Sequence, residues 1–361
     1  MGAKKLSAYL YENKERNRNG EFNKSDVLSV SGDCGIVNQI ELLGRSFAGK
    51  SVADYHVVRT DDIVYTKSPL KEYPYGIVKY NNGQDGIVST LYAVYHHKDN
   101  VDGQFVEYYF TNPQRTNRYF KPIVRIGAKH DMKIGNEEVL DSFVVFPGLE
   151  EQRKITEMLS LLDLRIAIQN KVIEKYESLI KALRHHLFST LESVKEVPVA
   201  DLLSYEQPTK YIVSDTEYSN NTDLTPVLTA NKAFILGYTD EVEGIYDKGP
   251  CIILDDFTLD FKIVEFPFKV KSSAIKILSA KTTVSLRYIF EYLKFLDLNT
   301  EEHKRHYIAE IEPMSIELPE EDTIKSIAFL FDLMDKRRKG LERDQQLLKS
   351  QKDYLLREIF I

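Results

Sequence analysis

The sequence predicts an α+β chain: two globular parts of mixed α/β character, separated by two long helices packed as an antiparallel coiled coil, in a pseudo-two-fold internal duplication. Three observations predict it. Some forty residues after Pro147 read as one uninterrupted helix, a similar stretch closes the chain, and the two align without a gap at a constant offset of 172 residues.

The central helix carries a regular seam. Ile155, Leu159, Leu162, Ile166, Gln169, Ile173, Tyr176, Ile180, Leu183 and Leu187 alternate steps of four and three, the 3.5-residue period of a coiled coil. Gln169 is its one polar break. Neither Pro nor Gly interrupts the stretch before Pro198, so at 1.5 Å per residue the helix is expected to run for about 60 Å.

In the echo, Pro147 corresponds to Pro319, Ile155 to Ile327, Leu159 to Phe331 and Leu162 to Met334. Asp163 corresponds to Asp335, Leu187 to Ile359 and Phe188 to Phe360. The second seam runs through Ile327, Phe331, Met334, Arg338, Leu341, Gln345, Leu348, Lys352, Leu355 and Ile359. Paired antiparallel about their midpoints, the helices are expected to bring Gln169 opposite Gln345. Two unrelated amphipathic helices would share a period but not a proline, an Asp-x-Arg and a terminal Leu-Phe or Ile-Phe at one offset. A repeat of this length is too long for a solenoid and implies two copies of a head-plus-helix unit. "KEVPVADLLSYEQ" at 195–207 echoes "KKLSAYLYEN" at 4–13 and marks the second start. The chain therefore divides into 1–146, a first globular part; 147–194, the central helix; 195–318, a second globular part; and 319–361, the closing helix.

The globular parts are strand-rich. "YHVVRTDDIVYTK", "GIVSTLYAVYH", "GPCIILDDF" and "IVEFPFKVKSSAIKIL" are β-branched and aromatic runs bounded by turn residues. Residue-level similarity between the two parts is slight, as expected of one scaffold carrying two different readers.

Composition sets the outer bounds. With 361 residues, 43% hydrophobic and 29% charged, the chain is expected to fold into two domains of ordinary size. No stretch approaches the roughly 18–20 apolar residues that span a bilayer, and the N-terminus has no signal-peptide core. Cys34 and Cys251 make no disulfide or metal pattern, which suits a reducing cytoplasm. The net charge of −7 does not favour a nucleic-acid partner, but binding needs local rather than total positive charge. Phe110 to Lys133 is such a window, with Arg115, Arg118, Lys121, Arg125, Lys129 and Lys133 against Asp131 alone.

No reaction has a specific signature. Phosphate-binding glycine loops and the Asn/Asp-Pro-Pro-Tyr/Phe pattern of amino-methyltransferases are missing from the sequence. His303 and His306 have a spacing open to a metal but no further ligands nearby, and adjacent His185 and His186 point apart on a helix. The acids of "LDDFTLDF" at 254–261 read better as a hydrogen-bonded turn than as a nuclease site. Recognition is favoured over catalysis.

"FPGLEEQRKITEMLSLLDLRIAIQNKVIEKYESLIKALRHHLF" resembles the central segment of the specificity subunits of type I DNA restriction-modification systems. The likeness rests on Pro147, Glu150, Glu151, Gln152, Ile155 and Leu162-Asp163. The second copy keeps Pro319, Ile327 and Met334-Asp335 but has "EEDTIKSI" where Glu-x-Gln is typical. "HVVRTDDIVYTK" is similar to a strand of that family's target-recognition domains, with Asp61 in place of a frequent Gly. "VLTANKAFILGYTDEVEGIY", "LDDFT", "FPFKVKSSA" and "HKRHYI" resemble a second domain subtype.

The resemblance implies a non-catalytic subunit that reads a bipartite, asymmetric site in double-stranded DNA, one half per globular domain, with the helix pair fixing the gap. It implies docking of two methyltransferase subunits and of restriction/translocase subunits. S-adenosylmethionine, ATP and Mg belong to those partners, with no cofactor, catalytic residue or metal in this chain. The expected DNA contacts are Lys67, Ser68, Ser89, Thr90, Arg115, Arg118, Lys121, Arg125 and Lys129 in the first domain. In the second they are Thr229, Asn231, Lys232, Lys271, Ser272, Lys304, Arg305 and His306, since base and phosphate contacts draw on these residue types. The competing readings are a coiled-coil adaptor that binds proteins only and a metal-dependent nuclease.

Overall fold

The computed structural model describes residues 2–127, 132–229, 234–298 and 306–360. It contains two compact units, Met1–Ile168 with Gln345–Ile361, and Gln169–Asp344. Each unit takes a globular head together with part of both long helices, so packing cuts across the chain-order division.

Both long helices form, as Leu149–Ser189 and Glu321–Glu358. Glu150 and Glu151 open the first, Glu321 and Asp322 the second, which places negative charge at the positive helix ends. Seam residues are buried or half-buried along the central helix, whereas Leu161, Leu164 and Ile168 on its outer side are each more than half exposed. The pairing is antiparallel in each unit. In the first, Asp163 bonds Lys352 and Ile155 packs into the same core as Leu356 and Phe360. In the second, Arg184 lies 5.7 Å over the Phe331 ring, and Gln169 reaches the Leu341 carbonyl at 2.8 Å.

The first head is built on a four-stranded antiparallel sheet ordered Leu10–Glu12, Tyr92–His97, Ile63–Thr66, Val78–Tyr80. Ile63–Thr66 is wholly buried because both faces of this sheet are covered. Ile63 and Tyr65 enter the main core with Phe105 and Phe120, and alternate residue Val64 enters a second cluster with Val58, Val88 and Val94. Helices Gly103–Phe110 and Pro113–Phe120 follow, each started by a side-chain cap, Asp102 on the Phe105 amide and Asn112 on the Arg115 amide. Asp61 lies in the left-handed region at φ 73, which gives a physical reason for glycine at this turn, and its carboxylate accepts the Tyr80 hydroxyl.

The second head repeats the topology with other residues. Its antiparallel sheet is ordered Leu203–Glu206, Ile275–Ala280, Cys251–Asp255, Phe261–Val264, so that first strand, last strand, middle strand and the next follow the same path. The echo seen near each start is structural as well. Lys4–Lys5 pairs with Phe143–Val144, and Lys195–Pro198 pairs with Ser315–Leu318, closing each head just before its long helix begins.

The heads are fastened to the helices differently. In the first unit Gln152 is 1% exposed, accepts the Asp102 amide at 3.0 Å and donates to the Pro147 carbonyl at 2.9 Å. Thr156 adds a bond to the Asp102 carboxylate at 2.9 Å. The residue equivalent to Gln152 in the second copy is Ile324, buried in an apolar core. The departure at "EEDTIKSI" thus exchanges a polar latch for hydrophobic packing. The second head is instead held by ions. Arg287, nearly buried, contacts Glu291, Asp332 and Asp335, while Arg184 of the central helix also binds Glu291 at 2.7 Å.

Candidate functional site

The sequence-predicted contact residues fall into three groups. Lys67, Arg115 and His306 are engaged inside their units. Lys67 is half-buried and donates to the Ile134 carbonyl at 2.9 Å and Asn136 Oδ1 at 2.5 Å, and burial lowers its pKa. Arg115 donates to the Tyr109 carbonyl at 3.0 Å and to the Phe360 carbonyl, and stacks 5.1 Å from both rings. It ties the end of the closing helix to the first head. His306 is 1% exposed; its amide donates to Asp256 Oδ1 at 3.1 Å and its ring meets Glu310 at 2.8 Å. Neighbouring backbone carbonyls and carboxylates take up much of the bonding capacity of Arg115 and His306.

The second group is presented outward. In the first head, Thr66 pairs with Tyr92, so Ser68 and Thr90, just beyond those strand ends, lie at one edge of the sheet. Thr90 is exposed, and Ser89 accepts the Leu91 amide at 3.4 Å. Arg118, Lys121 and Arg125 are exposed. Arg125 pairs directly across a two-stranded ribbon with Lys133, and exposed Ile126 sits next to it. Neither cation has a carboxylate partner among the described residues. Like charges facing each other across a ribbon are unfavourable unless an anion joins them. Lys133 belongs to the basic window but only the register reveals this pairing.

In the second head the parallel pairing of Leu228 with Val270 places Thr229 and Lys271 at one end of the three-stranded sheet. The Lys271 amide donates to the Leu228 carbonyl at 3.0 Å, and the following Ser272 turns the chain by accepting the Ala274 amide at 3.4 Å. Lys271 and Ser272 are exposed. The third group, Lys129, Asn231, Lys232, Lys304 and Arg305, lies outside the described residues.

The acids of "LDDFTLDF" hold structure together. Asp255 Oδ1 accepts the Phe257 and Thr258 amides at 2.9 and 3.1 Å, forming the hydrogen-bonded turn expected from sequence. Asp256 accepts the Tyr307 amide at 2.8 Å and pairs with buried Lys276 at 3.3 Å. Asp260 binds Lys262 and Lys294, both at 3.0 Å. Among the described residues no group of three or more His, Cys, Asp or Glu is arranged around a metal position. Burial pushes the Cys251 thiol up to about 12, so it stays protonated and unreactive near neutral pH. No helix among the described residues is long and apolar enough to cross a membrane.

These features define a class: a duplicated head-and-helix scaffold whose two heads share a topology but expose different polar and cationic edges. The chain is 43% identical over 132 residues to the Escherichia coli type I restriction enzyme EcoR124I/EcoR124II specificity subunit, a match covering 35% of this chain and 32% of the relative. The match thus spans about a third of the relative's length. Its fold is similar to the type I restriction-modification S subunit from M. genitalium, with a TM-score of 0.62, 13% identity, and coverage of 100% of this chain and 96% of that one. A chain solved in a study of complex assembly and conformational transition of the type I R-M system aligns with a TM-score of 0.53, 13% identity, and coverage of 99% and 97%. No protein-family model matches the chain. Sequence and fold together establish the resemblance to type I specificity subunits.

Proposed function

We propose that this chain is the DNA-reading specificity subunit of a type I restriction-modification complex. Each head reads one half of a bipartite, asymmetric site, and the helix pair sets the gap between the halves. The observation that carries this reading is the duplication itself: one strand order used twice, with different residues at the exposed edges, on helices related by a constant offset. The pair Arg125 and Lys133, with no carboxylate partner among the described residues, supports phosphate contact by the first head. Thr229, Lys271 and Ser272 support contact by the second. Target residues in such a reader are of mixed polar type, since base edges need donors and acceptors as well as charge.

The chemistry of base modification belongs, in this reading, to two methyltransferase subunits docked on the helix side. They bring S-adenosylmethionine and flip the target base. Restriction/translocase subunits with ATP and Mg complete the larger assembly, which works in the cytoplasm. With a net charge of −7 the chain alone binds duplex DNA weakly, and its partners supply much of the positive surface. A gel-shift with the chain, methyltransferase subunits and random-sequence duplex tests this. A ternary complex that needs this chain is expected; a shift of equal strength from the methyltransferase subunits alone contradicts it.

A further inference from the structure

The first unit has a groove of about 1050 Å³ where its head meets the start of the central helix and the end of the closing helix. Its floor is apolar, formed by Phe105, Tyr109, Val145, Ile155, Met158 and Phe360. Its rim is cationic: Arg115, Arg118, Lys154 and Arg357, against one carboxylate among the described lining residues, Glu151. Arg118, Lys154 and Arg357 are exposed and have no carboxylate partner among the described residues. A pocket of about 560 Å³ in the second unit matches this groove on its helix side only, where Pro319, Ile327 and Leu187 correspond to Pro147, Ile155 and Ile359. There the lining is acidic. Glu192, Glu320 and Asp322 line it, with no cation among the described lining residues.

We propose that the groove of the first unit docks an acidic segment bearing apolar side chains from a partner protein, and that the acid-lined pocket of the second unit rejects it. A phosphate backbone would satisfy the rim but leave the apolar floor uncovered, whereas an acidic peptide with aromatic or aliphatic residues answers both. At the shared helix positions the second copy has Ser326 where the first has Lys154, so the rim cation is lost there and the chain is asymmetric towards an acidic partner. The inference shares with the function above only the claim that the chain has protein partners. It reassigns Arg118 from DNA to protein contact.

The test uses the full chain and fluorescein-labelled synthetic peptides of alternating Glu with Phe or Leu, beside Lys-for-Glu counterparts. Binding is read by anisotropy, and the site by the methyl resonance of Met158 among five methionines. The expected result is saturable binding of the acidic peptide with one site per chain, a shifted Met158 signal, and at least tenfold weaker binding in Arg118→Glu/Arg357→Glu. Lys121→Glu leaves it unchanged. Equal binding of the basic peptide, two sites per chain, or indifference to the double charge reversal overturns the proposal. Competition by duplex DNA assigns the groove to nucleic acid and also overturns it. Loss of the groove with an intact DNA shift separates this failure from failure of the DNA-reading function.

Discussion

The side-chain amide of Gln169 donates to the backbone carbonyl of Leu341 at 2.8 Å, and Leu341 is the residue 172 positions on, its own counterpart in the second copy. Gln345, expected opposite from the seam, follows one turn later on the same helix. A half-buried amide bonded to a helix carbonyl fixes register better than another leucine, because a slipped pairing leaves it without that acceptor. Gln169→Glu sets a carboxylate against the carbonyl and is expected to cost about 1–3 kcal/mol. Urea unfolding followed by circular dichroism checks it, with Gln169→Leu as the register-permissive comparison.

Gly340 lies one residue before this bond, inside a 38-residue helix. A Cβ there meets nothing within 4 Å. Gly340→Ala is therefore expected to stabilise the protein by about 0.5–1 kcal/mol through helix propensity alone, seen as a higher urea midpoint.

His56 is 1% exposed, and its Nδ1 has no hydrogen-bond partner among the described residues. Burial, with Arg16 and Lys67 adding positive charge, lowers its pKa from 6.5 to about 4. The unfolded chain takes up this proton below 6.5 and the folded chain resists until about 4. This contribution is complete above pH 6.5 and is lost as pH falls through that window, by up to about 3 kcal/mol. His56→Phe is expected to flatten the pH dependence between 7 and 4.5 relative to the parent, measured by urea midpoints.

The seam was legible because a 3.5-residue period survives any tertiary context, and the duplication because Pro147/Pro319 and Phe188/Phe360 share one offset. The common topology of the heads was not legible, since strand order leaves no trace in side chains chosen for different surfaces. Nor could the basic run be sorted. Arg115 and Arg125 look alike in sequence, but one caps Phe360 and the other faces Lys133 across a ribbon. That distinction depends on contacts 245 residues apart and on strand register.

The same sorting predicts different salt responses. Lys121→Ala/Arg125→Ala is expected to lower the slope of log K against log salt for duplex DNA by about 1–2, with stability unchanged. Arg115→Ala is expected to leave the slope alone and destabilise the protein by about 1–3 kcal/mol, through the bonds to Tyr109 and Phe360. Fluorescence titrations at several salt concentrations and thermal melts distinguish the two.

The central claim is that two heads read two halves of one site, and sequencing of modified DNA tests it most directly. The chain is mixed with methyltransferase subunits of a type I system and S-adenosylmethionine, a random-sequence duplex library is added, and any modified positions are sequenced. One asymmetric two-part motif with a fixed, unspecified gap is expected. A single contiguous motif, or methylation without sequence preference, would contradict it.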